Sequence, residues 1–252
     1  MHQPDPVFPP LITGHAVRAP ETAFAAAVRG AEAGQYGAAD LVWARDTGKL
    51  DCAVVLEPEV TAERAAEMLF VALVAFGDCF GALAPPEIGV TYVWPQDIRI
   101  NGGKVGRVRA AMSPGRDTEG APRWLVIGLD IAIRETDRRA PEPGLTPEVT
   151  TLHEEGCGEI TRTALLESFA RHFLTWVHQW ETEGFRPVHD MLLFRTEGHR
   201  EMVTVELGGA LHEGRFTGFD EAGNMLLQTD DGARLLSAME AVEIGPAAER
   251  VP

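Results

Sequence analysis

The clearest hydrophobic pattern in the chain is the alternation in residues 124–133, WLVIGLDIAI. Successive residues of a strand point to opposite faces, so one face of this segment carries Leu125, Ile127, Leu129, Ile131 and Ile133. The other face begins with bulky Trp124 and Val126. It continues with Gly128 and Asp130, and a strand that only fills a core has little use for a glycine and a carboxylate together. The pattern predicts a strand with one core face and one face that becomes polar.

Other periodic segments predict a domain of helices and strands. Pro20 and Glu21 are start signals for a first helix, and Thr61 is a typical N-cap for a long second one. Residues 1–20 contain five prolines and no periodic pattern, which indicates an extended lead-in on the surface. The predicted helices cover 22–33, 61–83 and 161–183, and the predicted strands between them cover 40–43, 50–56 and 90–93.

The pattern changes after Gly184. Short apolar runs separated by Gly, Asp and Asn predict four strands, at 202–206, 212–219, 224–228 and 233–237. This spacing is typical of a small barrel-like β domain. We therefore expect a lead-in at 1–20, a main domain at 21–195 and a C-terminal β domain at 196–252.

A hairpin with a suggestive lysine lies at residues 93–109, VWPQDIRINGGKVGRVR. Asn-Gly between two alternating runs is a strong hairpin signal. Strict alternation after the turn places Lys104 and Gly106 on one face, with Val108 and Ala110, and Val105, Arg107 and Arg109 on the other. A cation beside a glycine can meet an anion close to the backbone. Together with Gly128 and Asp130, these residues predict a groove for a polar small molecule, and a plain surface hairpin is the alternative.

Composition narrows the classes of function. The 252 residues carry a formal net charge of -16, which argues against nucleic-acid binding and against an acidic membrane surface. The longest apolar run, 68–76, is too short to span a bilayer. The N-terminus lacks the basic and apolar regions of a signal peptide. Three scattered cysteines without a CxxC pair favour a reducing cytoplasm.

The hairpin residues resemble a known family. Trp94-Pro95-Gln96-Asp97, followed by IRINGGKV at 98–105, is similar to the KWPND…KxAG segment of biotin–protein ligases. The order of strand, long helix, hairpin, VIGLDI strand, amphipathic helix and terminal barrel also resembles that family. The segment GRFTGFDEAGNMLLQTDDG at 214–232 resembles the family's barrel segment. The similarity covers residues from about Asp40 to Gly245.

The resemblance implies an α/β (α+β) fold of the biotin/lipoate ligase type, with a mixed sheet and helices like those of class II aminoacyl-tRNA synthetases, plus a small SH3-like barrel. It implies activation of a carboxylic acid such as biotin or lipoate with ATP and Mg²⁺, and transfer to a lysine of a carrier protein. No further metal cluster is expected, and a homodimer is among the expected assemblies. The implied catalytic residues are Lys104 and Asp97, and the implied ligand-binding residues are Trp94, Gln96, Gly106, Arg107, Gly128, Asp130, Arg45 and Gly48.

Departures from the family pattern support a second hypothesis. The family's glycine- and arginine-rich loop over the adenylate is shortened here to residues 44–50. Arg107 and Asp130 stand where the family has glycines, and Ala132 where it has asparagine. These changes place bulk where the ligand would contact the backbone. The alternative is therefore a non-catalytic relative that binds a ligand or a partner.

Two further alternatives rest on the loop at residues 153–158, HEEGCG. Cys157 is a candidate nucleophile for an acyltransferase related to octanoyl transferases, although an ordinary loop cysteine is favoured because sequence gives no activating environment. His153 and its neighbouring glutamates are a candidate metal site, but such clusters in acidic loops are usually solvated. His172 and His178 are expected to flank the apolar stripe of the helix at 161–183.

Overall fold

The computed structural model of the protein describes residues 4–46, 48–114, 120–135 and 148–245. The strands in these residues are β1 (Thr13–Val17), β2 (Asp40–Ala44), β3 (Lys49–Leu56), β4 (Val90–Val93), β5 (Asp97–Ile100), β6 (Gly103–Met112), β7 (Leu125–Ala132), β8 (Met202–Leu207), β9 (Ala210–Phe219), β10 (Met225–Thr229), β11 (Gly232–Leu236) and β12 (Val242–Ile244). The α-helices are α1 (Ala23–Glu32), α2 (Ala62–Ala65), α3 (Met68–Gly81), α4 (Arg162–Glu183) and α5 (Arg186–Arg195).

A mixed sheet forms the main body of the molecule. Its strand order is β1-β2-β3-β7-β6-β5-β4, and β12 also pairs with β6. The β1–β2 and β12–β6 pairs are parallel, whereas the other neighbours run antiparallel. This architecture confirms the expected mixed sheet with helices.

The two faces of this sheet are covered by different helices. The predicted apolar residues of β7 lie in the larger core with α3 and α4, which confirms the alternation deduced for that strand. The opposite face packs against α1, where Phe24, Ala27 and Val28 contact small residues of the central strands such as Ala53 and Ala111. Thr22 caps α1 by accepting a hydrogen bond from the Ala25 N–H, as expected for an N-cap threonine.

The long helix predicted at 61–83 is interrupted. It consists of α2 and α3, separated at Ala66 and Glu67, where the N–H groups of Leu69 and Phe70 bond to carbonyl oxygens three residues earlier. Such tighter turns change the direction of the helix without leaving backbone groups unpaired. Nearly all residues of α3 are buried, because it packs against both the sheet and α4. Among the described residues, no helix is both long enough and apolar enough to cross a membrane.

Strand β1, helix α5 and strand β12 were not predicted. Strand β1 lies within the segment expected to be an extended lead-in on the surface, and it pairs in parallel with β2. Its residues are mostly exposed, so the burial pattern that reveals a strand is weak there. Helix α5 buries only Val188 and Leu192, which gives too few apolar positions for a periodic signal.

The C-terminal strands β8 to β11 form a four-stranded antiparallel sheet in the order β11-β10-β9-β8, consistent with an SH3-like domain. The four predicted strands are all present, with small changes at their ends. This sheet shares the larger core with the main body, and the His189 ring of α5 meets the Phe219 ring of β9 edge to face. The Trp94 indole N–H donates to the carbonyl oxygen of Gly223 at 3.0 Å, and β12 pairs with the Ala110–Met112 end of β6.

Candidate functional site

A β-bulge lies in the hairpin that carries the predicted catalytic lysine. Ile98 pairs with Gly106 and Arg99 pairs with Lys104, so Val105 has no partner of its own on β5. An extra residue on one strand reverses the alternation of side chains beyond it. The strict alternation assumed from the sequence is therefore wrong at this point.

Because of the bulge, Lys104 shares its side of the sheet with different residues from those predicted. Val108 and Ala110 belong to the core on the α3 and α4 side, and Gly106 lies on that side too. Lys104 instead shares the α1 side of the sheet with Arg107. The prediction that Lys104 and Gly106 share a face of the sheet is therefore wrong. Lys104 shares its face with Arg107, so two cations lie there in place of a cation and a glycine.

Lys104 and Asp97, the two predicted catalytic residues, are in direct contact. The Lys104 ammonium donates to Asp97 Oδ2, and the Arg107 Nε atom is 3.9 Å from Asp97 Oδ1. The Lys104 and Asp97 side chains are about one-quarter exposed, at 27% and 26%. A half-buried carboxylate between two cations holds both of them in place through charge-assisted contacts. This cluster gives the hairpin a fixed positive group facing the α1 side.

The strand register places more charged residues beside this cluster. Arg107 pairs with Asp130, which pairs in turn with Asp51 on the next strand, and Arg109 pairs with Gly128. Directly opposed residues lie on the same face of a sheet, about 5 Å apart. The α1 side of the sheet therefore carries a row of charged side chains, in which Asp130 lies between Arg107 and a second carboxylate, Asp51, at the N-terminus of α1.

A narrow cleft opens between this row and the first turn of α1. Its volume is about 50 Å³, and it is lined by Thr22, Phe24, Lys49, Asp51, Arg109, Gly128, Leu129 and Asp130. The Phe24 ring forms its inner wall, with the Arg109 guanidinium 4.1 Å above the ring centre. We call this space the α1 cleft. It contains groups of both charges, together with apolar surface from residues such as Phe24 and Leu129.

Neither predicted glycine offers its backbone to a ligand. A Cβ atom on Gly106 would lie 2.0 Å from the carbonyl oxygen of Asp130, so this glycine permits the close approach of β6 and β7. A Cβ atom on Gly128 would lie 2.4 Å from the Phe24 ring. Both spaces are already filled by the protein, which corrects the expectation of two backbone approaches. Gly128 nevertheless lines the α1 cleft.

Asp51 is a member of the site that the sequence interpretation missed. Its carboxylate accepts hydrogen bonds from the Ala23 N–H at 3.1 and 3.2 Å, at the positive end of α1. Burial raises the pKa of Asp51 to about 6, against the lowering effect of the Ala23 hydrogen bond, and the charge of Asp130 adds to the rise. A carboxyl with such a pKa can exchange a proton near neutral pH. The sequence signal that could have identified Asp51 was its position as an aspartate inside the apolar run LDCAVVL.

Lys49 is the second residue that was missed. The sequence contains 22 Lys and Arg residues, yet its only lysines are Lys49 and Lys104. Lys49 lines the α1 cleft, with its Nζ atom 4.0 Å from Asp130 Oδ1. Both lysines of the chain therefore lie on the same side of the sheet. Their scarcity was the signal that could have identified Lys49.

Trp94 and Gln96 have structural roles in the hairpin. The Trp94 ring is buried, and its indole N–H holds the turn at Gly223 of the C-terminal sheet. The Gln96 carbonyl oxygen accepts from the Val108 N–H at 2.9 Å. These contacts fix the hairpin that carries Lys104, so both residues support the site from beside it.

Arg45 and Gly48 lie in the short loop between β2 and β3. The Arg45 guanidinium lies 4.9 Å from the Trp43 ring centre on the α3 and α4 side of the sheet, and it forms an ion pair with Asp5. The Gly48 N–H donates to Asp46, and its carbonyl oxygen accepts from the Ile133 N–H at 2.8 Å. The structure thus places Arg45 on the opposite side of the sheet from Lys104.

The loop alternatives receive no support from their surroundings. Cys157 is buried, and burial raises the pKa of its thiol, with the Glu155 charge adding to the rise. A reactive thiolate needs the opposite shift. The His153 Nε2 atom is 3.2 Å from the Ile160 carbonyl oxygen, a contact that organises the loop. Within the described parts of the chain, no three His, Cys, Asp or Glu side chains are grouped to hold a metal ion.

Comparison with known sequences decides the family. Residues 8–194 match the sequence model of the biotin/lipoate A/B protein ligase family. The chain belongs to this family. A biotin–[acetyl-CoA-carboxylase] ligase of Paracoccus denitrificans is 31% identical over 202 residues, which cover 79% of this chain and 81% of that protein. The bifunctional ligase/repressor BirA of Bacillus subtilis is 25% identical, and the match covers 76% of this chain and 57% of its own length.

Solved structures of the family have the same fold. A biotin protein ligase-like protein of unknown function from a Silicibacter species has a TM-score of 0.83 and 36% identity, over 94% of this chain and 98% of that one. The biotin protein ligase of Aquifex aeolicus in complex with biotin and ATP has a TM-score of 0.69 and 17% identity, over 88% and 95% of the two chains. The second similarity concerns the fold alone.

Proposed function

We propose that the protein is an ATP-dependent ligase that activates a carboxylic acid smaller than biotin and transfers it to an amine, such as a lysine of a carrier protein. The observation that carries this proposal is the Lys104–Asp97–Arg107 cluster beside the α1 cleft. Membership of the family supplies the reaction type. The cleft next to the cluster supplies the place for the acid.

The charged groups of the α1 side fit the needs of such a reaction. ATP would supply the adenylyl group that activates the acid, with pyrophosphate as the leaving group. Lys104, Arg107 and Arg109 can hold phosphate oxygens and stabilise the negative charge that develops during the transfer. Asp130 and Asp51 offer the carboxylate oxygens that Mg²⁺ prefers.

Asp97 serves both halves of the proposed reaction. Its contact with Lys104 keeps the ammonium oriented while the acid is activated. In the transfer step, the amine attacks the acyl carbon and AMP leaves as the bond between that carbon and the phosphate oxygen breaks. The same carboxylate can accept the proton that the attacking amine loses, because a general base must lie within hydrogen-bond reach of the reacting atoms. Arg107 keeps the carboxylate in position when Lys104 turns toward a phosphate.

The size of the α1 cleft supports a small acid. Pockets for drug-sized ligands measure about 300–1,000 Å³, whereas this cleft measures about 50 Å³. Phe24 occupies the space over Gly128, and Arg109 lies against the outer face of its ring. The charged groups of the lining favour an acid that carries a hydrogen-bonding or charged second group.

A second candidate function is binding without catalysis. It is supported by the short loop between β2 and β3, whose Arg45 is held by Asp5 on the other side of the sheet. No described arginine of that loop therefore lies over the α1 cleft. Under this alternative, the cluster around Lys104 binds an anionic ligand and the acid is never activated.

Pyrophosphate exchange distinguishes the two candidates. Purified protein should incorporate labelled pyrophosphate into ATP in the presence of one or more acids from a panel that ranges from acetate and small amino or hydroxy acids to lipoate and biotin. Lys104→Met should reduce the exchange at least about a hundredfold, the size of effect expected when a preplaced charge is removed. Arg234→Gln, on the exposed face of the C-terminal sheet, is the matched loss of charge and should leave the rate unchanged.

The contrary result is equally clear. If no acid supports exchange but an acid or ATP still raises the unfolding temperature of the protein, binding without catalysis is the correct function. If biotin is the best substrate, the protein is a ligase and the proposed limit on acid size is wrong.

A further inference from the structure

Two carboxylates face each other across the α1 cleft. Asp51 and Asp130 are directly opposed on β3 and β7, and both line the cleft. Residues opposed in this way lie on one face of the sheet, about 5 Å apart. Like charges at this distance repel each other, so a cation that arrives between them is stabilised by both.

Asp51 has little positive charge beside it. Its carboxylate accepts hydrogen bonds from the Ala23 N–H, a neutral donor, and among the described residues no lysine or arginine forms an ion pair with it. The charge of Asp130 raises the pKa of Asp51 more than the charge of Lys49 lowers it. The negative charge at this end of the cleft is therefore only partly compensated.

The cations of the cleft are better compensated. Arg109 donates to Glu243 at 2.7 Å, and its guanidinium also lies over the Phe24 ring. The Lys49 Nζ atom is 4.0 Å from Asp130 Oδ1, and both side chains are more than half exposed. Such an exposed contact gives way easily to another ion. The cleft therefore offers more to an incoming cation than to an incoming anion.

A carboxylate has a place in the same row of residues. Arg107 is opposed to Asp130 on β6, so Asp51, Asp130 and Arg107 follow one another across three strands. Neighbouring members of such a row lie about 5 Å apart. A molecule whose ammonium lies between the two aspartates can therefore direct a carboxylate on an adjacent carbon toward Arg107.

Mg²⁺ is the competing occupant of the space between the two aspartates. An ammonium is satisfied by carboxylate oxygens alone, whereas Mg²⁺ keeps several waters in its octahedral shell. The small volume of the cleft, about 50 Å³, favours the occupant without a water shell. Asp130 is half exposed, so it can still meet an Mg²⁺ ion that ATP carries outside the cleft.

We propose that the acid bound in the α1 cleft is a small α- or β-amino acid, with its ammonium between Asp51 and Asp130 and its carboxylate toward Arg107. Phe24 and Leu129 line the same space, so the side chain of this amino acid is small.

Activation of the amino acid rests on the proposed function, whereas its binding does not. One carboxylate oxygen bonds to the α-phosphorus of ATP. The bond from that phosphorus to the oxygen that bridges to the β-phosphate then breaks, and pyrophosphate leaves. The ammonium keeps its protons and serves only to hold the molecule in place.

Pyrophosphate exchange with matched acids tests the proposal. Glycine, alanine and β-alanine are compared with glycolate, lactate and 3-hydroxypropionate, in which a hydroxyl group replaces the ammonium. The best amino acid should exceed its hydroxy analogue at least about a hundredfold in kcat/KM, because the analogue leaves the two carboxylates without their partner. Asp130→Asn should raise the KM for the amino acid about tenfold or more. Asp231→Asn, a matched loss of charge in an exposed turn, should not change it.

Lys49→Met tests the sign of the recognised group. This variant removes the internal cation beside Asp130, so the KM for the amino acid should fall several-fold. A higher KM in Lys49→Met together with no change in Asp130→Asn would show an anionic second group and overturn the proposal. It is also overturned if Asp130→Asn raises the KM for Mg-ATP and leaves that for the amino acid unchanged.

Failure of this proposal is distinguishable from failure of the ligase reaction. If hydroxy acids support exchange as well as amino acids do, the ligase reaction stands and the amino-acid specificity is rejected. If no acid supports exchange, the ligase reaction fails, and titration calorimetry of the full chain with the same amino acids decides their binding. Binding that Asp130→Asn weakens and Asp231→Asn leaves unchanged supports the site, and no binding of any of them rejects it.

Discussion

The two clefts of the main sheet differ in how each is closed. The α1 cleft is narrow because a buried ring, Phe24, is packed over Gly128. A second cleft, at the β1 edge of the sheet, is several times larger at about 370 Å³, and its lining includes the ion pair between Asp5 and Arg45. Packing is costly to undo, whereas an exposed ion pair exchanges easily with solvent and ions. Volume in the resting structure is therefore a poor guide to which cleft carries the chemistry.

Charge separates the two clefts as well. On the α1 side, cations and carboxylates lie on neighbouring strands, so a ligand there meets both signs at fixed positions. At the edge, the charged residues of the lining are Asp5 and Arg45, which form an ion pair with each other. The first arrangement is suited to positioning a reacting molecule, whereas the two charges of the second already neutralise each other.

The largest expected effect comes from Phe24→Ala. Removal of a buried ring should lower the free energy of unfolding by about 3 kcal/mol, through lost burial and the cavity left behind. The same cavity should admit bulkier acids, so pyrophosphate exchange with biotin should rise relative to exchange with the small acid. Urea unfolding and the exchange assay measure the two results.

Phe24→Leu is the matched control for this prediction. Leucine keeps most of the apolar volume over Gly128, so it should cost less stability and change the acid preference less than alanine does. An alanine variant that loses stability but keeps the wild-type order of acids would mean that Phe24 packs the helix without limiting the substrate.

A smaller effect is expected for Asp51→Asn. The folded structure raises the pKa of Asp51 to about 6 from the ordinary 3.8, so the folded chain holds a proton that the unfolded chain has released between these two values. Stability from this group is present at low pH and falls as the pH rises through that window. The full difference corresponds to roughly 3 kcal/mol, and partial access of water reduces it to about 2 kcal/mol.

Asparagine cannot ionise and still accepts from the Ala23 N–H. The variant should therefore be more stable than the wild type by about 2 kcal/mol at about pH 8, and nearly equal to it at about pH 4. Urea unfolding at the two pH values gives both numbers. Equal stability at the higher pH would show that Asp51 stays ionised without penalty and that the α1 cleft is wetter than its packing indicates.

The smallest effect is expected for Asp5→Ala. The ion pair with Arg45 is exposed, and such pairs contribute little to stability. The midpoint of thermal unfolding should stay within error of the wild type, in contrast to Phe24→Ala. A large loss would mean that the segment 4–12 is a structural part of the sheet edge, and the contrast between the two clefts would disappear.

The sequence was informative wherever burial is periodic. The alternation of 124–133 and the three- and four-residue steps of 161–183 each reflect one face against a single core, and both elements were predicted nearly to their ends. Strand β1 and helix α5 bury too little to leave such a pattern. An element is therefore predictable from local sequence when it buries many apolar side chains on one face, and hard to predict when it buries few.

Only part of the candidate site was predicted from the sequence. Lys104 and Asp97 were predicted together, and the structure brings them into contact. The bulge at Val105 was not predictable, because it depends on how closely β6 approaches β7 at Gly106, a contact between distant parts of the chain. Asp51 was missed for the same reason, since its importance comes from the N-terminus of α1 above it.

The last strand of the chain has a consequence for how the protein unfolds. Strand β12 follows the C-terminal sheet and returns to complete the edge of β6 that β5 leaves open. The Arg109 guanidinium donates to Glu243 across this junction at 2.7 Å. The C-terminal sheet therefore cannot unfold by itself without withdrawing β12 from the main sheet. Loss of β12 would leave the backbone N–H and C=O groups of β6 beside Arg109 without their strand partner. The chain should unfold in one cooperative transition, with amide protons of the two sheets exchanging together.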